Sequence, residues 1–69
     1  MSRLKILGKN IKHYREVKGL SQEKLAELVD LSREYIVRVE SGLKRISLKK
    51  LFVIADTLEV KCSDLINFD

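Results

Sequence analysis

The sequence predicts an all-α fold, with five short helices forming one compact domain over residues 1–69. Three observations carry that expectation. Apolar residues recur at helical spacing along nearly the whole chain, and strand-like alternation is sustained nowhere. Proline is absent, so no helix is interrupted by one. Ser21, Ser32, Ser47 and Ser63 each precede a helical pattern, where a hydroxyl can accept from a free N–H of the first turn.

Leu4, Leu7, Ile11, Tyr14 and Val17 share one face and define helix 1, and Gly19 follows where a left-handed C-terminal cap is usual. Ser21 caps helix 2, with Leu25, Leu28 and Val29 on its inner side, and Asp30-Leu31 forms the next connection. Ser32 caps helix 3, whose inner positions are Tyr35, Ile36 and Val39, and Gly42 ends it. Ser47 opens helix 4, with Leu48, Leu51, Phe52, Ala55 and Leu58 expected inward. Ser63 is expected to cap a last short helix that holds Leu65 and Ile66.

A chain of 69 residues buries only about 60% of its unfolded surface, so its stability margin is thin. One cysteine, Cys62, excludes an internal disulfide and any cysteine-cluster metal site, leaving the core to hold the fold. The N-terminus does not read as a signal peptide and no segment is apolar enough to span a bilayer, which points to a cytoplasmic location. His13 has no cysteine or acid at metal-ligand spacing. No nucleophile–base pair, glycine-rich phosphate loop or carboxylate pair appears, so neither catalysis, a cofactor nor a small-molecule ligand is expected.

Charge is unevenly distributed. The net charge is +4. Residues 1–20 carry six basic side chains against Glu16 alone, and Lys44, Arg45, Lys49 and Lys50 follow helix 3 without an acid among them. The last nineteen residues are acidic instead. Basic regions with an acidic tail suit one face turned to a polyanion and another turned elsewhere.

The stretch from Ser21 to Gly42 holds two short helices whose connection is too brief for an antiparallel pair, with small Ala26 where they approach. This is helix-turn-helix spacing. Arg33, Glu34, Val37 and Arg38 line the outer side of helix 3, where an exposed helix can enter a major groove and meet base edges. Arg33, at the helix start, can bind guanine O6 and N7 with two hydrogen bonds. Glu34 either accepts from a cytosine amine or orients Arg33 or Arg38. Val37 suits a thymine methyl, and Arg38 a base or a phosphate.

"GLSQEKLAELVDLSREYIVRVESG" resembles the helix-turn-helix of the Cro/CI-like (XRE) regulators, and the similarity runs from about Leu7 to Leu65. The resemblance implies a compact five-helix, lambda-repressor-like DNA-binding domain that binds two-fold operators as a dimer. It also implies phosphate contacts from Gln22, with Ser21 and Ser32 beside it at helix N-termini. For Arg15 and Glu40 it implies an ion pair joining helix 1 to the end of helix 3.

The run "SREYIVRVE…KR" further resembles the controller proteins of restriction–modification operons, which implies DNA contacts for Arg33, Tyr35 and Arg45, with Lys44 alongside. One position departs from the family pattern: Asp30 stands where the turn usually has glycine, so it is expected at positive φ, which Asp tolerates better than most residues. At the far end, Val60, Ile66 and Phe68 are candidates for a dimer surface. The expected partners are therefore duplex operator DNA and a second copy of the chain, for a regulator of a bacterium, phage or mobile element. The competing class is a protein-interaction module that keeps the fold without reading DNA.

Overall fold

A computed structural model of the chain describes residues 2–67. Five helices follow in order: α1 (Arg3–Val17), α2 (Gln22–Leu28), α3 (Arg33–Glu40), α4 (Leu48–Leu58) and α5 (Cys62–Leu65). No strand occurs among the described residues. The interface expectation for Phe68 lies outside the described residues.

The helix starts follow the serine rule at three of the four predicted sites. Ser21 Oγ accepts from the Lys24 N–H, Ser32 Oγ from Tyr35 and Ser47 Oγ from Lys50. Ser2 adds a cap for α1 by accepting from Lys5. Ser63 does not cap α5 but lies inside it, because the helix begins after Lys61. There the Asp64 carboxylate reaches back to accept from the Lys61 N–H at 3.0 Å, so an acid in the first turn replaces the hydroxyl.

Four helices end alike. A left-handed residue closes each of them: Gly19, Asp30 and Gly42, each just after the cap, and Glu59, itself the cap of α4, at φ of 76°, 57°, 79° and 58°. The next N–H then reaches back five residues, from Leu20 to Arg15, Leu31 to Ala26, Leu43 to Arg38 and Val60 to Ala55. This Schellman closure occupies carbonyls that would otherwise be left without donors. It also turns the following apolar residue back on the helix it ends. Leu20, Leu31 and Val60 accordingly pack against the core, whereas Leu43 stays exposed.

Each helix contributes at least one side chain that is fully enclosed: Ile11, Leu25, Ile36 with Val39, Ile54 and Leu65. Full burial of a residue of this size stabilises by about 1.5–3 kcal/mol. Helix α1 runs along α3 and α5, and α5 is closed by Asn10, whose Nδ2 donates to the carbonyls of Leu65 and Asn67. Where α1 crosses α3, a Cβ on Gly8 would lie 2.4 Å from the Glu40 carbonyl oxygen, so only glycine fits.

Several residues expected inward are exposed. Val17 is 71% exposed, Leu48 64%, Phe52 50% and Leu28 48%, and Leu4 lies near the surface too. On α4 the buried set is Leu51, Ile54, Ala55 and Leu58, which centres the inner face away from Phe52. Ile54, absent from the predicted set, takes the central place. On α2, Leu25, Ala26 and Val29 define a face that leaves Leu28 to one side. No helix among the described residues is long and apolar enough to cross a membrane.

Candidate nucleic-acid interface

The site begins with α3, which has to be held firmly for its outer side chains to be useful. Glu40, at its last position, accepts from Arg15 Nε at 2.6 Å and from Arg15 Nη2 at 3.0 Å. It also accepts from Gln22 Nε2 at 3.0 Å. One carboxylate thus joins α1, the start of α2 and the end of α3. Arg15 spends a further proton on the Leu20 carbonyl at 2.7 Å. Arg15 and Glu40 are each only 7% exposed, so the pair is sheltered from solvent screening.

The Glu40 side-chain bond raises the Arg15 pKa above the ordinary arginine value, against the desolvation that lowers it, and the negative charges of Glu40 and Glu16 add to the rise. A raised value means that the stability from this charge is complete below the ordinary arginine pKa. It would fade only at more alkaline pH, so the cation persists throughout the neutral range.

Opposite this anchored side, α3 presents Arg33, Glu34, Val37 and Arg38 to solvent. The side chains of Arg33, Glu34 and Arg38 form no hydrogen bond or ion pair within the described residues, so Glu34 orients neither arginine here. Two guanidinium groups and a carboxylate are therefore left with all their hydrogen-bonding capacity on one helix surface.

The residues expected at the DNA backbone divide into free and engaged groups. Ser21 and Ser32 each use an oxygen lone pair in capping, which leaves the hydroxyl proton to donate. Gln22 gives one amide hydrogen to Glu40 and keeps the second, facing a shallow cleft shared with Lys12, Val37 and Ser41. Lys44 and Arg45 are exposed in the segment between α3 and α4. Tyr35 is half-buried, and its hydroxyl donates to the Arg45 carbonyl at 2.6 Å. That commits the single proton a phosphate would need.

Two further interactions were not legible in the residue pattern. Lys50 Nζ donates to the Val29 carbonyl at 2.7 Å, so this cation braces the end of α2. Lys18 pairs with Glu59 across the molecule. At the opposite end, Ile66 is 45% exposed, while Val60 is partly buried on its own core as the residue that closes α4. No cluster of three His, Cys, Asp or Glu side chains suited to a metal occurs among the described residues.

The family model described as helix-turn-helix matches residues 11–65. The chain is similar to the control protein C.SmaI of Serratia marcescens, with 38% identity over 61 residues that cover 88% of this chain and 73% of that protein. Among solved structures it is similar to the restriction–modification controller protein C.AhdI from Aeromonas hydrophila, at 37% identity and a TM-score of 0.85, covering 90% of this chain and 94% of that one. It is also similar to SinR, the master regulator for biofilm formation, solved in complex with DNA, at 31% identity and a TM-score of 0.83, covering 88% and 98% of the two chains.

Proposed function

The chain belongs to the helix-turn-helix family of Cro/CI-like (XRE) regulators, which are not enzymes, and we propose that it reads a two-fold DNA operator as a dimer, with α3 in the major groove. It is a DNA-binding transcription regulator by family. The observation that carries the finer reading is the outer side of α3, where Arg33, Glu34 and Arg38 form no side-chain hydrogen bond or ion pair among the described residues and Val37 lies beside them at the surface. A helix held from behind and unoccupied in front can place donors and acceptors against base edges.

In this reading Arg33 takes guanine, Glu34 accepts from a cytosine amine, Val37 meets a thymine methyl, and Arg38 reaches a base or a phosphate. Ser21, Gln22, Ser32, Lys44 and Arg45 fix the register by contacting phosphates, a role that carries no sequence information. Tyr35 has no proton left for a phosphate while it serves Arg45. A second copy joins at the α5 end through Ile66, Phe68 and the exposed part of Val60, which would set two recognition helices about 34 Å apart. The protein works in the cytoplasm, on DNA.

Similarity to C.SmaI and C.AhdI favours a more specific role as the controller of a restriction–modification operon. Titration of the protein against a random-sequence duplex at about 50 and 200 mM salt tests the binding itself, because each neutralised phosphate adds about 0.9 to the logarithmic salt slope. Absence of binding at the lower salt supports a protein-interaction module instead. Fragments selected from the source genome test the rest: a two-fold site ahead of the chain's own gene and an adjacent endonuclease gene supports the controller role.

A further inference from the structure

Helix α4 carries its charges against its own dipole. Lys49 and Lys50 lie in its first turn, Asp56 lies near its end, and Glu59 is its cap. Cations therefore stand at the positive pole and acids at the negative one. Two of these charges have a use inside the molecule: Lys50 donates to the Val29 carbonyl, and Glu59 pairs with Lys18. Lys49 and Asp56 form no side-chain hydrogen bond or ion pair among the described residues. Both are exposed, and with exposed Leu48 and Phe52 they share one sector of the helix surface, at i, i+1, i+4 and i+8. The sector has an apolar middle, Phe52 with Leu48 beside it, flanked by a cation toward one end and an acid toward the other.

We propose that α4 docks antiparallel on α4 of a second copy, across a two-fold axis beside Phe52, with each Lys49 paired to the partner's Asp56. The inference rests on the two-copy reading given above, to which it adds α4 as a seat beside the α5 end. A closed two-fold contact needs a patch that complements itself. Positions 49 and 56 are equally far from the point between residues 52 and 53, so antiparallel pairing about that point matches the two charges twice. It also sets the negative end of one helix against Lys49 of the other, and the positive end against Asp56. Two placements that are unfavourable in the single chain become favourable in the pair. Parallel helices would bring like charges and like poles together instead.

Sedimentation equilibrium of the full chain at low salt, over a range of concentrations, reads the association constant. Phe52→Glu places a charge beside the axis in both copies and should leave the chain monomeric. Lys49→Glu sets acid against acid twice and should weaken association about tenfold or more, as should Asp56→Lys, which sets cation against cation. Lys49→Glu combined with Asp56→Lys restores opposite signs and should return the constant to within about threefold of wild type. Thermal melting of dilute, monomeric protein keeps folding apart from association. There Lys49→Glu should melt no lower than wild type, because an acid suits the start of α4.

Single exchanges that leave association unchanged, or a double exchange no better than the singles, would overturn the proposal. Dissociation by Ile66→Glu but not by Phe52→Glu also overturns it, while leaving a dimer joined at the α5 end. Wild type that stays monomeric at every concentration, and occupies the selected two-fold fragment as a single copy, overturns the two-copy reading and the α4 pairing together.

Discussion

Replacing Glu40 with alanine removes a carboxylate that accepts three hydrogen bonds, two from Arg15 and one from Gln22. What remains is a guanidinium whose side chain is 9% exposed, with one bond left to the Leu20 carbonyl. Stranding a buried charge in this way costs about 3–5 kcal/mol. At about 0.05–0.15 kcal/mol per residue, a 69-residue domain has roughly 3–10 kcal/mol in total. Glu40→Ala should therefore remove from about a third to all of the protein's stability.

Urea unfolding followed by far-UV circular dichroism gives the number, with the slope expected to stay unchanged. A control separates charge from packing. Arg15→Met combined with Glu40→Leu strands no charge, so it should recover most of the loss, with half-buried Gln22 turning to water and the Leu20 carbonyl losing one donor. A Glu40→Ala variant within about 1 kcal/mol of wild type would refute the reasoning, since it would show the guanidinium to be well solvated. A double variant no better than the single one would assign the loss to packing.

Three other outcomes are expected. Asp30 stands at φ 57°, so Asp30→Gly should raise stability by about 0.5–1 kcal/mol, seen as a melting temperature a few degrees higher; a clear fall would count against this turn. Gly8→Ala would press a Cβ to 2.4 Å from a backbone oxygen of α3 and should destabilise by about 1–3 kcal/mol or more in the same urea assay, whereas a neutral result would mean that α1 and α3 are not in contact there. Arg33→Ala should cost ~1–3 kcal/mol on a selected operator and relax preference at one base pair, and uniform weakening across all sequences would reassign Arg33 to phosphate.

Helix starts were largely legible because a cap is a local signal: the serine and the N–H it serves lie three residues apart at Ser21, Ser32 and Ser47. The same rule failed at Ser63, where Asp64 supplied an equally local alternative from inside the helix. Periodicity marks the helices but does not tell their buried centre from its edges, so Phe52 and Leu28 read as inward although both are exposed, while buried Ile54 does not stand out. Which residues fall at an edge depends on where the neighbouring helix lies, and no single helix encodes that.

Long-range braces were hidden for the same reason. Lys50 reaches Val29, 21 positions away, and Tyr35 reaches Arg45 around a corner of the chain. Both residue types read equally well as surface or DNA contacts. The link between Arg15 and Glu40 was reached by resemblance, and the structure adds that Gln22 shares the same carboxylate oxygen as Arg15 Nη2.

The freedom of Arg33, Glu34 and Arg38 bears on how such a protein diversifies. In the proposed DNA-binding reading, address and architecture occupy opposite sides of one eight-residue helix. Exchanging the outward letters leaves Ile36, Val39 and Glu40 undisturbed, so a descendant can acquire a new target without first surviving a loss of folding. Lineages that need many non-overlapping switches can draw them all from this one scaffold.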